Sequence, residues 1–113
     1  VAHNNLAWLY LEQDNITKAL EHAEKAFELA PHIANIVDTY GKVLLGSGDK
    51  RAALEYASKA SEIAKGKDVD IQLNYVEALI ANNRINEAKD LLSKATTSTD
   101  EQQKKKLKLL AQL

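Results

Sequence analysis

A chain of 113 residues, 45% hydrophobic and 27% charged, has the composition of one globular domain that buries roughly two thirds of its unfolded surface. Its 15 basic and 16 acidic side chains nearly cancel, which excludes a whole-molecule field steering it toward nucleic acid or an acidic membrane. The absence of cysteine excludes disulfides and thiolate metal sites, and no apolar run reaches the ~18 residues of a membrane span.

One proline and four glycines among many Ala, Leu, Lys and Glu residues predict an all-α chain. The first helix is predicted over 1–13, with Leu6, Leu9, Tyr10 and Gln13 sharing one side with Ala2, a helical spacing that marks a core face. Leu20, Ala23, Phe27 and Ala30 repeat that spacing in a second helix over 16–30. Further helices are expected over 34–46, 50–65, 69–82, 85–97 and 100–112. Asp14-Asn15, Gly48-Asp49 and Asn82-Asn83 separate the members of each pair. These residues tolerate the left-handed backbone that ends one helix and supply the cap that starts the next. Pro31 and Gly66 interrupt the chain between pairs, where a helix must not continue. Connections this short make neighbouring helices antiparallel.

The last predicted helix follows Ser98-Thr99-Asp100-Glu101, in which Ser98 and Glu101 have capping-box spacing. Leu107, Leu110 and Leu113 form its expected apolar face, with Gln and Lys on the wet side. Such a helix suits the open end of a stack. Along the whole chain, Glu21 and Lys25, Asp38 and Lys42, Glu55 and Lys59, and Asp90 and Lys94 stand four apart with the acid first. That order supports a helix by a few tenths of a kcal/mol per pair, roughly, so these charges read as solvated helix support.

Three stretches align in register. Ala19, Ala53 and Ala88 mark one place in them, Ala26, Ala60 and Ala95 another, with spacings of 34 and then 35 residues. A unit of this length cannot bury its own apolar face, and stacked neighbours complete the core. The alanines allow close helix approach, so a large residue at Ala19 or Ala53 is expected to overpack the contact at a cost of roughly 1–3 kcal/mol.

On these residues the chain resembles the tetratricopeptide repeat family over nearly its whole length. Leu6-Ala7, Tyr10, Ala19 and Ala26-Phe27 closed by Pro31 carry the first match. Tyr40-Gly41, Leu44, Ala53 and Ala60 carry the second, and Tyr75, Leu79, Ala88 and Ala95 the third. The family's early tryptophan is replaced by His3, Val37 and Gln72, and one extra residue falls around Lys65-Gly66-Lys67-Asp68. The resemblance implies an all-α solenoid: repeats over 1–33, 34–68 and 69–98, then a C-terminal capping helix over 99–113. The chain begins at Val1 without an initiator methionine, so it reads as a piece of a longer protein with its first repeat truncated.

The resemblance also implies a non-catalytic scaffold that holds a protein or peptide in a concave groove lined by the first helix of each repeat. The helical wheel places Val1, Asn4, Asn5, Trp8 and Glu12 on that face of the first repeat. Asn35, Asp38, Thr39, Lys42 and Leu45 follow in the second, then Asp70, Leu73, Asn74, Glu77 and Ile80 in the third. Asn5, Thr39 and Asn74 are equivalent, a polar ladder suited to an extended backbone. Trp8 reads either as an anchor for a partner or as packing against a neighbouring helix or an upstream repeat. Relatives that grip a C-terminal carboxylate use several lysines or arginines. Here only Lys42 fits, beside Glu12, Asp38, Asp70 and Glu77, so a neutral-to-acidic groove and a basic or neutral polar partner are expected.

A finer similarity links "NNLAWLYLEQ", "KALEHAEKAFELAP" and "IVDTYGKVLL" to the repeats of bacterial exopolysaccharide-export proteins. It implies a secretion scaffold in the periplasm or at the outer membrane, in preference to the cytoplasm. The competing assignments are a cytoplasmic adaptor or co-chaperone and an accessory domain of a larger enzyme. His3, His22 and His32 lack metal-site spacing and read as surface or groove-edge residues, so no metal or cofactor is expected. Without a nucleophile elbow or phosphate loop, no enzyme is expected. Lys104-Lys105-Lys106 with Lys108 reads as the solvated side of the last helix, so no nucleic acid is expected. An apolar edge at Val1, Ala2 and Leu9 is a candidate homodimer surface.

Overall fold

The computed structural model describes residues 2–113. Val1, assigned above to both the groove face and the N-terminal edge, lies outside the described residues. Seven helices are described: α1 (Ala2–Glu12), α2 (Ile16–Leu29), α3 (Ala34–Gly46), α4 (Lys50–Ile63), α5 (Val69–Ala81), α6 (Ile85–Lys94) and α7 (Asp100–Ala111). Their order and type follow the sequence reading: the starts of α2 to α7 fall where expected, α3 matches at both ends, and the other helices stop one to three residues early.

The expected turn residues set the connections. Asp14, Gly48 and Asn83 each adopt positive φ, at 61°, 93° and 60°, which reverses the chain after the first helix of each pair. The side chains of Asn15, Asp49 and Asp68 then accept hydrogen bonds from the backbone amides of Lys18, Ala52 and Ile71. Each satisfies a donor that the first helical turn leaves free. The extra residue of the second spacing falls in a paired left-handed turn at Lys65 and Gly66, with φ of 55° and 69°.

Hairpins α1–α2, α3–α4 and α5–α6 stack so that α1, α3, α5 and α7 form one row. Each member of that row touches the next, while α2, α4 and α6 stand behind it. All six repeat-marking alanines are buried. Where α3 meets α4, a Cβ on Gly41 would lie 3.2 Å from the Ala57 amide nitrogen and 3.3 Å from the Ala53 carbonyl oxygen. The backbones approach too closely there for a larger residue. Phe27, Tyr40 and Tyr56 fill the joint between the first two hairpins, their ring centroids 4.7–5.3 Å apart. Around the third hairpin, Leu73, Val76, Leu79, Ala88 and Leu92 close the core with Leu109 of α7.

Several expectations change. In α1 the core face is centred on Ala7, packed with Tyr10 and Leu11, whereas Leu6 and Leu9 are 36% and 48% exposed. Leucine spacing defined a stripe, but the small residue marks where α2 approaches. The same displacement occurs in α7. Leu109 is buried and Leu113 packs beside it, while Leu107 and Leu110 face out. The helix is rotated relative to the leucine count, and Lys105 and Lys106 turn inward. Its cap also shifts by one residue. Thr99, in place of Ser98, accepts from the Gln102 amide at 3.1 Å, and Gln102 reaches back to the Ser98 amide at 2.9 Å.

Of the four expected i,i+4 ion pairs, Glu21–Lys25 and Asp90–Lys94 form. Asp38 is buried, and Lys42 pairs instead with Glu77 of the next repeat at 3.0 Å. Lys59 Nζ lies 5.6 Å from the centroid of the Phe27 ring. His3 and His22 are joined across the first hairpin, their Nδ1 atoms 3.0 Å apart and their rings stacked, with Tyr10 stacked on His22. One ring donates and the other accepts, so these two residues hold α1 to α2 and are not free surface groups.

Candidate functional site

The row of first helices encloses one side of a cleft of about 370 Å³, lined by Asn4, Asn5 and Trp8 of α1, Asn35, Asp38 and Thr39 of α3, Asp70 and Asn74 of α5, and Lys105 of α7. Eight of these nine, all but Lys105, were placed on the groove face by the helical wheel. They converge because positions three and four apart on one helix share a face, and the repeats place equivalent faces side by side.

The other candidates separate. Lys42 and Glu77 border a neighbouring part of the same row, joined by their ion pair. Glu12 is exposed at the end of α1, outside the cleft lining. Leu73 is fully buried and packs with Val76, Leu92 and Leu109. That corrects its assignment to the groove: α7 covers this position, and an apolar side chain there completes the core. Ile80 likewise packs at the edge of the third hairpin.

Asn5, Thr39 and Asn74 all line the cleft, and their chemistry differs from a row of free amides. Thr39 is buried and its hydroxyl donates to the Asn35 carbonyl oxygen at 2.9 Å. Asn74 is the hub of a network: its Nδ2 donates to both Asp38 carboxylate oxygens, at 3.2 and 3.0 Å. Its Oδ1 accepts from Lys42 and from Lys105. Asp70 Oδ1 accepts from Gln102 at 3.2 Å, a second strut from α7. By contrast, the Oδ1 of Asn4 is buried with no hydrogen-bond partner.

Burial dominates the electrostatics. Desolvation raises the Asp38 carboxyl from 3.8 to about 6, against the opposing pull of the Asn74 hydrogen bond and the Lys105 and Lys42 charges. Desolvation and then the neighbouring Lys42 lower Lys105 to about 8, while Glu77 and Asp38 act the other way. Trp8 is half-buried at the cleft wall, with Lys42 Nζ 5.9 Å from its ring centroid. It is neither sealed among helices nor fully exposed.

Lys105 is the residue that sequence reasoning missed. The rotation of α7 about Leu109 delivers it, so the groove carries a second cation and is less acidic than expected. The signal was present in the four-residue spacing of Lys105, Leu109 and Leu113, overshadowed by the more conspicuous Leu107 and Leu110. Among the described residues no group of three His, Asp or Glu side chains is disposed to hold a metal ion. No described helix is long and apolar enough to cross a membrane.

Comparison with known proteins follows from the same repeats. Residues 1–33 match a tetratricopeptide repeat, and residues 44–113 match a further tetratricopeptide repeat. No curated protein matches the chain. With helical hairpins stacked along its length and family matches over most of it, the chain belongs to the tetratricopeptide repeat family, whose repeats generally mediate protein–protein interaction.

Proposed function

We propose that this chain is a non-catalytic scaffold that holds an extended protein or peptide segment in the cleft between α1, α3, α5 and α7. The supporting observation is the convergence of Trp8 with polar side chains from four helices on one open cleft. An aromatic wall beside hydrogen-bonding groups suits a backbone segment with a single anchoring side chain. In this reading the repeats span 1–33, 34–68 and 69–98, and α7 within 99–113 closes the third hairpin and completes the groove.

The biological setting we propose is a bacterial exopolysaccharide-export or secretion assembly at the periplasmic side of the envelope. It rests on the three phrases of the first two repeats that are similar to such proteins. The alternative is an adaptor or co-chaperone module of the cytoplasm, or an accessory repeat domain of a larger enzyme. A homodimer through the N-terminal edge is a second mode of association, favoured by the exposure of Leu6 and Leu9.

Peptide display against the folded chain, followed by titration of the selected peptide, tests the groove reading. Trp8→Ala is expected to weaken binding by more than about 1 kcal/mol while leaving the thermal midpoint in place. Equal affinities for variant and parent reject Trp8 as the anchor.

A further inference from the structure

The charged groups of the cleft are unbalanced in a way that favours one kind of occupant. Beside the amides of Asn4, Asn5, Asn35 and Asn74 and the Thr39 hydroxyl, which both donate and accept, two carboxylates from different helices line it: Asp38 of α3 and Asp70 of α5. The Asn4 Oδ1 is buried and accepts nothing. Asp38 receives hydrogen bonds from the single Nδ2 of Asn74 and is otherwise surrounded by low-dielectric protein. Ionised carboxylates accept at four lone-pair sites or so, which leaves the Asp38 carboxylate under-satisfied. Asp70 has one oxygen engaged by Gln102.

Lys105 is the one cationic side chain in the lining. Its ammonium is directed to Asn74, an acceptor it shares with Lys42. Against two carboxylates the lining therefore keeps an excess of negative charge. The remaining wall is the indole of Trp8, which already attracts the Lys42 ammonium to within 5.9 Å of its centroid and has a π face suited to a cation.

Resting on the groove reading above, we propose that this end of the cleft is a subsite for an arginine side chain of the partner. A guanidinium is planar and carries five N–H donors in a fixed fork, so it reaches acceptors held on separate helices. Its stem lies against the Trp8 ring, and its head pairs with Asp38 and Asp70. A neutral side chain of the same length supplies too few donors and no charge. An acidic one meets Asp38 and Asp70 as like charges.

Capped tripeptides test this directly: acetyl-Gly-Arg-Gly-amide, its citrulline counterpart and its glutamate counterpart. Trp8 is the single tryptophan of the chain, so its emission, excited where tyrosine does not absorb, reports on this cleft. The arginine peptide is expected to give a saturable change, with at least tenfold weaker responses from the other two. Asp38→Asn should weaken the arginine response about tenfold. Asp70→Asn, at an exposed position, should weaken it severalfold. Circular dichroism confirms that each variant is folded.

Equal responses to arginine and citrulline overturn the cationic subsite while leaving a peptide groove in place. Tighter binding of the glutamate peptide, lost in Lys105→Gln, also overturns it and assigns the cleft to an anion. Silence with all three peptides overturns the subsite, and the displayed-peptide titration with Trp8→Ala then decides the groove separately.

Discussion

Asp38 shows how one buried carboxylate couples the stability of this fold to its surface chemistry. Its pKa is raised from 3.8 to about 6, chiefly by burial, so the native state retains a proton that the unfolded chain has released. Its contribution to stability is therefore full below the unfolded value and is lost as pH rises through about 6. Lys105 is lowered to about 8. Its contribution is lost as pH falls through that value and stays constant at lower pH, so the Asp38 window is separate. Between about pH 4 and pH 7, the parent should lose roughly 2 kcal/mol relative to Asp38→Asn. Denaturant unfolding at a series of pH values measures this, and parallel curves for the two proteins would refute the assignment. The position of Asp38 on the groove face was legible from helical spacing. Its burial was not, because that depends on Asn74 and α7, which lie 36 or more residues further along the chain.

At the scale of the helix, buried alanines mark where paired helices approach, and leucine spacing alone does not. Ala53 is fully buried against α3, so Ala53→Leu should lower unfolding free energy by roughly 1–3 kcal/mol through overpacking. Leu29, which is largely exposed, should accept Lys with a change inside about 0.5 kcal/mol. The same logic separates the leucines of α7. Leu109→Ala should cost about 2–5 kcal/mol by leaving a cavity beside Leu73 and Leu92, and Leu107→Gln should cost less than about 0.5 kcal/mol. Thermal and chemical unfolding of the paired variants checks both contrasts, and a larger loss from Leu107→Gln would restore the face expected from sequence. Repeated alanines revealed each α3–α4-type contact in advance. The seventh helix had no paired partner helix in the pattern to fix its rotation, so its face was misread.

Across the whole molecule, stacking makes each hairpin depend on its neighbours, and exposed leucines stand on both the first and the last helix. Leu6 and Leu9 at one end and Leu107 and Leu110 at the other are exposed. Self-association through the first edge should appear as a concentration-dependent mass in sedimentation. It should vanish in the Leu6→Lys, Leu9→Lys double variant without loss of folding, and an unchanged mass in that variant would exclude this edge.

Local rules acting within one hairpin were enough to determine the helices, their turns and the repeat. Helix periodicity, left-handed turn residues and close-packing alanines operate over a few residues to a few tens. Tertiary structure alone decided the chemistry of the cleft. The bond from Lys105 to Asn74, the passage of Lys42 to Glu77 and the closure over Leu73 join residues of different repeats. Their geometry comes from the angle at which whole hairpins nest and from the rotation of α7, and no short-range pattern encodes either quantity.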